Sequence, residues 1–426
     1  MRFSSFITLA AITIALPPDL PAETVSPPTT LAAYLQQAQS ANPDLQTYAT
    51  RYEAARARIP QARALPDPML QVTHFAESVQ TRTGPQENII MLSQRVPWFG
   101  RLSGREQIAS EEAEAIHYAF QARQLTLARL VGINFYDYAF AGKAIELTTE
   151  NLRLLEKLEP QVEERARTGG NLNNLLRLQV EIGRLRDRLA SLQAQRIQHS
   201  ARLAALLAWP DAETLPWPTW SPLDSASLPH SFYDQTSLLT AVDTQNPELL
   251  MLERKILSAR ARTELARLET RPDFTFGLTY IQVGRPVVNP TTPDAGRDPW
   301  GVSLSVNLPI WNQKNRHVRQ EADASQRTAE NELAERRSQL RAETLVALSA
   351  ATDARRRVRL YEDDLLPLAR QAVANTLASY QGDRASLLEL IDSERSQLDL
   401  ELQLWRAQAD AAQQKLTLQS LANQPL

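Results

Sequence analysis

The chain has 426 residues, a net charge of −3 and no cysteine, and only five of its 46 basic residues are lysine. Acidic residues alternate with the arginines throughout, so no basic field points to nucleic acid, and disulfides, thiol chemistry and a cysteine-linked lipid anchor are excluded. No stretch after the N-terminus approaches the roughly 18 to 20 apolar residues of a membrane helix, so a membrane crossing would require a closed β-barrel.

In chain order, Arg2 precedes an apolar and threonine run from Phe6 to Leu16, followed by prolines and by Leu20-Pro21-Ala22. This reads as a secretory signal over residues 1–22, with the mature chain starting near Glu23. A helix with Asn42-Pro43 near its start then runs to about Arg63 and breaks at Pro66-Asp67. Two period-two segments follow between residues 69 and 96. Leu70 and Val72 alternate with Gln71 and Thr73, His74 falls on the apolar side, and Ile90, Leu92 and Val96 alternate with Met91, Ser93 and Arg95.

Arg101 to about Arg167 keeps a helical period, long enough for roughly 100 Å at 1.5 Å per residue. A turn at Thr168, Gly169, Gly170, Asn171 and Leu172 reverses it into a second helix. There Leu175, Leu178, Ile182, Leu185, Leu189 and Leu192 step by three and four, as a heptad seam does. Residues 208–236 hold Pro210, Pro216, Pro218 and Pro222 with Trp209, Trp217 and Trp220, a composition that excludes a long helix.

The order then repeats. Asn42-Pro43-Asp44-Leu45 returns as Asn246-Pro247-Glu248-Leu249, and Pro66-Asp67 as Pro272-Asp273. Val96-Pro97-Trp98-Phe99 returns as Leu308-Pro309-Ile310-Trp311, and Gly170 with Leu175-Leu176 as Gly382 with Leu387-Leu388. Phe274, Phe276, Leu278 and Tyr280 alternate with small polar residues, as do Val302, Leu304, Val306 and Leu308. A helix from Lys314 to about Tyr380 leads to a turn at Gln381, Gly382, Asp383, Arg384 and Ala385, and a last helix carries Ile391, Leu398, Leu402 and Trp405 along a similar seam. The expected organisation is therefore a first repeat at 23–207 (strand pair 69–96, hairpin 101–207), a Pro/Trp-rich linker at 208–236, and a second repeat at 237–426 (strand pair 274–308, hairpin 314–422).

Two copies of helix, strand pair, long helix, glycine turn and helix resemble the TolC family of outer-membrane efflux channels over nearly the whole mature chain. Pro66-Asp67-Pro68-Met69 and Val96-Pro97-Trp98-Phe99-Gly100 resemble the strand-entry and strand-exit motifs of the branch associated with heavy-metal efflux by RND-type pumps. Ser386-Leu387-Leu388-Glu389-Leu390-Ile391-Asp392 resembles the segment after the second hairpin turn, whereas the first repeat has Arg177 where Glu389 stands. The resemblance implies a mainly α fold with a small β part. A homotrimer would share one twelve-strand β-barrel in outer-membrane lipid, with four strands from each chain, and the long helices would form a periplasmic α-helical barrel.

It also implies a passive duct. The tips Thr168 to Leu172 and Gln381 to Ala385 would face a periplasmic adaptor protein joined to an inner-membrane RND-type pump, and the loops around Thr81–Gln86 and Arg285–Arg297 would face outward. Arg177, Arg384, Glu389 and Asp392 are the candidate aperture gate, because three copies of a carboxylate around a narrow axis attract cations.

No catalytic chemistry, cofactor site or metal site is expected. His74, His117, His199, His230 and His317 are far apart and lack metal-ligand spacing, four methionines make no soft-metal cluster, and Thr168-Gly169-Gly170-Asn171 lacks the Lys-Ser/Thr of a phosphate loop. Glu111-Glu112 and Asp363-Asp364 read as solvated helix positions rather than an acid/base pair. Two other readings are a periplasmic adaptor, which would need more β structure around a single hairpin, and a soluble coiled-coil scaffold, which the amphipathic strands and the signal oppose.

Overall fold

The computed structural model describes residues 29–213, 215–220, 234–286 and 293–425. The expected signal segment lies outside this set, as do 221–233 of the expected linker and 287–292 of the second expected outer loop.

Helix α1 (Leu31–Ala41) and helix α2 (Pro43–Arg63) meet at Asn42, so the single opening helix read from the sequence is two helices. The Asn side chain explains the break. Its Oδ1 accepts the N–H groups of Asp44 and Leu45, capping α2, while its Nδ2 donates to Leu206 O at 2.8 Å. The second repeat uses the same device between α5 (Gln235–Gln245) and α6 (Pro247–Leu268). Asn246 Oδ1 accepts from Glu248 N, and its Nδ2 donates to Leu421 O at 2.9 Å. In each repeat the amide thus ties the opening helices to the end of that repeat's last helix.

The strands β1 (Met69–Thr81), β2 (Gly84–Val96), β3 (Phe274–Val283) and β4 (Trp300–Val306) form one antiparallel sheet in sequence order. The first pair, which alternates less regularly in sequence, has the longer strands. Its expected outer loop at Thr81–Gln86 shrinks to a turn through Arg82 and Thr83, because Thr81 pairs with Gly84. Gly84 has φ 141°, and a Cβ there would lie 2.0 Å from Gly284 O, so the turn needs glycine.

Sheet register aligns the apolar alternation of all four strands. Leu70 faces Leu92, Leu92 faces Leu278, and Leu278 faces Val302. The next row is Val72, Ile90, Tyr280 and Trp300. These side chains are 40 to 80 % exposed in the single chain, with Val302 at 78 %. A contiguous apolar face of this size does not remain against water. The opposite face carries Thr275, Gly277, Thr279, Ser303 and Ser305.

Helix α3 (Arg101–Arg167) has the bounds read from the sequence, and 67 residues carry it about 100 Å. It packs against α2, α6, helix α4 (Leu172–Leu207) and helix α9 (Leu387–Leu421). The second long run departs from expectation. Helix α7 (Asn312–Arg359) and helix α8 (Leu366–Gln381) are joined by a π-helical turn at Leu360–Leu365. Pro367 follows at once and has no N–H for the carbonyl four residues back, and a π turn is one way to absorb that loss. Among the described residues no helix is long and apolar enough to cross a membrane.

The sheet joins the helices through one buried ion pair. Asp273 accepts from Arg101 Nη1 at 2.5 Å, Arg95 Nη2 at 2.6 Å and Trp98 N at 3.0 Å. Arg101 also donates to Leu268 O and Arg271 O. Burial alone would raise the Asp273 pKa, but Arg95, the Trp98 N–H and Arg101 outweigh it and hold the carboxyl below its ordinary value. Nearer the middle of the helices, Tyr34 donates to Pro216 O and Tyr138 to Leu215 O, and Trp217 stacks on Tyr138 at 4.7 Å.

Candidate functional site

The two helical hairpins end side by side. Their shared core is the heptad seam, with Leu178, Ile182, Leu185 and Leu192 of α4 buried against Leu152, Leu155 and Val162 of α3 and Leu387, Leu390, Ile391, Leu398 and Leu402 of α9. Leu175 and Leu189 pack at its edge. The seam residues were legible because a heptad stripe has one buried solution.

The first tip is closed by backbone. Gly170 N donates to Arg165 O at 2.8 Å, and a Cβ on Gly170 would lie 2.6 Å from that oxygen. Gly169 takes φ 105°, Thr168 Oγ1 donates to Glu164 O, and Asn171 caps α4 through Asn173 N. Leu172 begins α4 and is 59 % exposed.

The second tip uses other residues for the same work. The left-handed position is Asp383, with φ 54°, rather than Gly382. Gln381 ends α8, Gly382 N donates to Ala378 O, and Arg384 N and Ala385 N both donate to Ser379 O. Ser386 and Glu389 then form a capping box, in which Glu389 Oε2 accepts from Ser386 N at 2.9 Å and Ser386 Oγ accepts from Glu389 N. The Glu389 carboxylate is thus engaged at a helix start.

Of the four expected gate residues, the fold gathers two. Arg177 and Asp392 line one groove of about 460 Å³ between α4 and α9, with Val180, Arg184, Leu388 and Arg395. Arg384 lies beside Gly382, and Glu389 sits at the cap. All four are exposed.

The contact that ties tip to tip was not legible in sequence. Arg165 Nη2 lies 3.3 Å from Asp383 Oδ1, and the Arg165 guanidinium stands 5.2 Å over the Tyr380 ring. Further up, Arg188 pairs with Asp399 at 3.0 Å, linking α4 to α9. Arg165 and Tyr380 carry no local signature; each is one residue in the last turn before a hairpin. Glu394 is buried within the α9 seam stripe. Its pKa is raised by burial first and by the neighbouring Glu401 second. Among the described residues no group of three or more His, Cys, Asp or Glu side chains could hold a metal ion.

The arrangement is a long double hairpin mounted on four strands of an unclosed sheet. The sequence profile of the outer membrane efflux protein family matches residues 34–208 and 238–424. The chain belongs to that family. It is an outer-membrane channel subunit with a large periplasmic helical part, and members of the family work as trimeric ducts with an adaptor and an inner-membrane pump.

The relatives agree over most of the chain. The cobalt-zinc-cadmium resistance protein CzcC of Cupriavidus metallidurans is 22% identical over 395 residues, covering 89% of this chain and 86% of CzcC. The solved structure of CusC matches with a TM-score of 0.77 at 18% identity, covering 93% of this chain and 92% of CusC. The outer membrane protein VceC of Vibrio cholerae matches with a TM-score of 0.76 at 18% identity, covering 92% and 96%. These structures share the TolC-like fold, as the repeat predicted, and nothing in them favours an adaptor.

Proposed function

We propose that this channel subunit is the exit duct for heavy-metal cations delivered by an RND-type pump through a periplasmic adaptor, and that the two hairpin tips form its gate. The observation that carries the substrate class is the similarity to CzcC along most of both chains. The channel needs no ligands of its own for this role, since the pump selects the cargo and the duct only conducts it.

Closure rests on the tip contacts. Arg165 with Asp383 and Tyr380 holds one hairpin to the other, and the Arg177–Asp392 groove is the place where the hairpins slide when the tip opens. The residues Thr168 to Leu172 and Gln381 to Ala385 are the surface offered to the adaptor.

The test is a deletion of the gene, followed by growth of the cells on graded cobalt, zinc and cadmium salts and on a panel of organic toxicants. Loss of metal tolerance that the intact gene restores supports the reading. Unchanged metal tolerance with lost resistance to organic compounds would replace the substrate class and leave the channel assignment standing.

A further inference from the structure

The outward apolar face of the sheet ends abruptly. From the helical end, its rows are Val96, Phe274 and Val306; then Gln94, Phe276 and Leu304; then Leu70, Leu92, Leu278 and Val302; then Val72, Ile90, Tyr280 and Trp300. The one polar member, Gln94, gives its amide to the carbonyls of Pro66 and Arg95. These rows cover about 20 Å along the strands at about 3.4 Å per residue.

The next row on the same face is His74, Asn88 and Gln282. All three are hydrogen-bonding side chains, and they are joined in a line. His74 Nδ1 lies 2.8 Å from Asn88 Oδ1, and Asn88 Nδ2 donates to Gln282 Oε1 at 2.6 Å. Because Asn88 Oδ1 can only accept, His74 Nδ1 carries the proton in this line. The line then has two free ends, His74 Nε2 and the Gln282 amide N–H. At the edge beside it, Asp298 takes the Tyr280 phenol and the Val283 N–H, so the Tyr280 ring stays in the apolar row while its hydroxyl turns toward the polar one. The regular ladders β1–β2 and β2–β3 also end here, with register shifts just beyond His74 and Asn88.

We infer that the row His74–Asn88–Gln282 is a lipid-headgroup contact that sets how deep the barrel sits in the outer leaflet. A row with free hydrogen-bonding ends cannot stay in hydrocarbon without cost, since no water is there to meet the polar groups. One residue pair lower, the side chains are those that hydrocarbon accepts. The boundary between chain and headgroup therefore falls between the Tyr280 row and the His74 row. The free ends meet phosphate and hydroxyl oxygens of the headgroups. In the trimer the row repeats three times, as a broken polar belt around the barrel. This inference rests on the outer-membrane reading.

The chain has no cysteine, so single cysteines report without background. The full-length trimer is reconstituted into phosphatidylethanolamine–phosphatidylglycerol vesicles, with an environment-sensitive fluorophore at one of the positions 70, 278, 74, 88 or 282. The lipids carry a quencher either near the headgroup or near the chain end. Labels at 70 and 278 should be quenched by the deep probe, and labels at 74, 88 and 282 by the shallow one. Deep quenching at 74, 88 and 282 equal to that at 278 overturns the belt. Failure of the deep probe at 70 and 278 overturns the membrane barrel itself. A second variant, His74→Leu with Asn88→Leu and Gln282→Leu, should move a label at Trp300→Cys toward the deep probe. An unchanged depth there would mean that the row only satisfies itself and does not hold the headgroup level.

Discussion

Arg101, the first residue of α3, and Asp273, the residue before β3, form an ion pair of 2.5 Å in which both side chains are less than a tenth exposed. They stand 172 positions apart and belong to different repeats. The pair therefore joins the helices of the first repeat to the sheet of the second. Asp67, the repeat equivalent of Asp273, is exposed in the single chain.

Asp273→Asn leaves the Arg101 guanidinium buried without its charge partner, a change that costs about 3–5 kcal/mol. The variant trimer should dissociate at a lower temperature on unheated-versus-heated gels, while Asp67→Asn in the isolated subunit should change little. The pH dependence has a definite sign. The folded Asp273 pKa is below its ordinary 3.8, so its contribution is complete above that value and is lost as pH falls toward the folded one. Acid should thus erase the difference between the parent and Asp273→Asn.

The repeat carries the sheet register across the subunit boundary. Leu70 faces Leu92 in the first pair, and their equivalents Phe276 and Leu304 face each other in the second. Applying the same equivalence to Leu92 opposite Leu278 places Leu304 opposite Val72 of the partner subunit. The double variant Leu304→Cys with Val72→Cys should give a covalent trimer on oxidation, seen on a denaturing gel without reductant. A stronger yield from Leu304→Cys with Leu70→Cys would show a register shifted by two residues.

On the proposed gate, the tip pair would be a soft closure. Arg165 and Asp383 are more than half exposed, so each pair contributes about 0.5 kcal/mol, and three copies together shift a closed–open balance by roughly tenfold. Asp383→Asn is the cleaner test, because asparagine tolerates the left-handed backbone at φ 54°. Single-channel recordings in planar bilayers should show a higher open probability than the parent. An unchanged record would remove the pair from the gate.

Glu394 should weaken the hairpin at neutral pH. Its folded pKa is raised, so the stability of the packed state is full below the unfolded carboxylate value and is lost as pH rises to the folded one. Glu394→Gln should melt higher than the parent at pH 7 by circular dichroism and equal it in acid. A lower melting temperature at pH 7 would mean that the ionised carboxylate holds a favourable partner in the trimer.

The sequence by itself determined whatever depends on local period and on copying. Helix α3 begins and ends where its pattern does, the seam from Leu178 to Leu192 is buried, and the strands alternate apolar and small polar residues. The two Asn-Pro sites announced a repeated joint, although not that the asparagine would split the opening helix and bind Leu206 and Leu421. These features are legible because each residue's environment is set by neighbours within a few positions. The tertiary structure alone decided the rest. It paired Arg101 with Asp273 and Arg165 with Asp383, and lined His74 up with Asn88 and Gln282. Most of these contacts join residues remote in the chain, or depend on how the long helices and the sheet register lie against each other. That geometry is the sum of many packing contacts, and no single window of the sequence contains it.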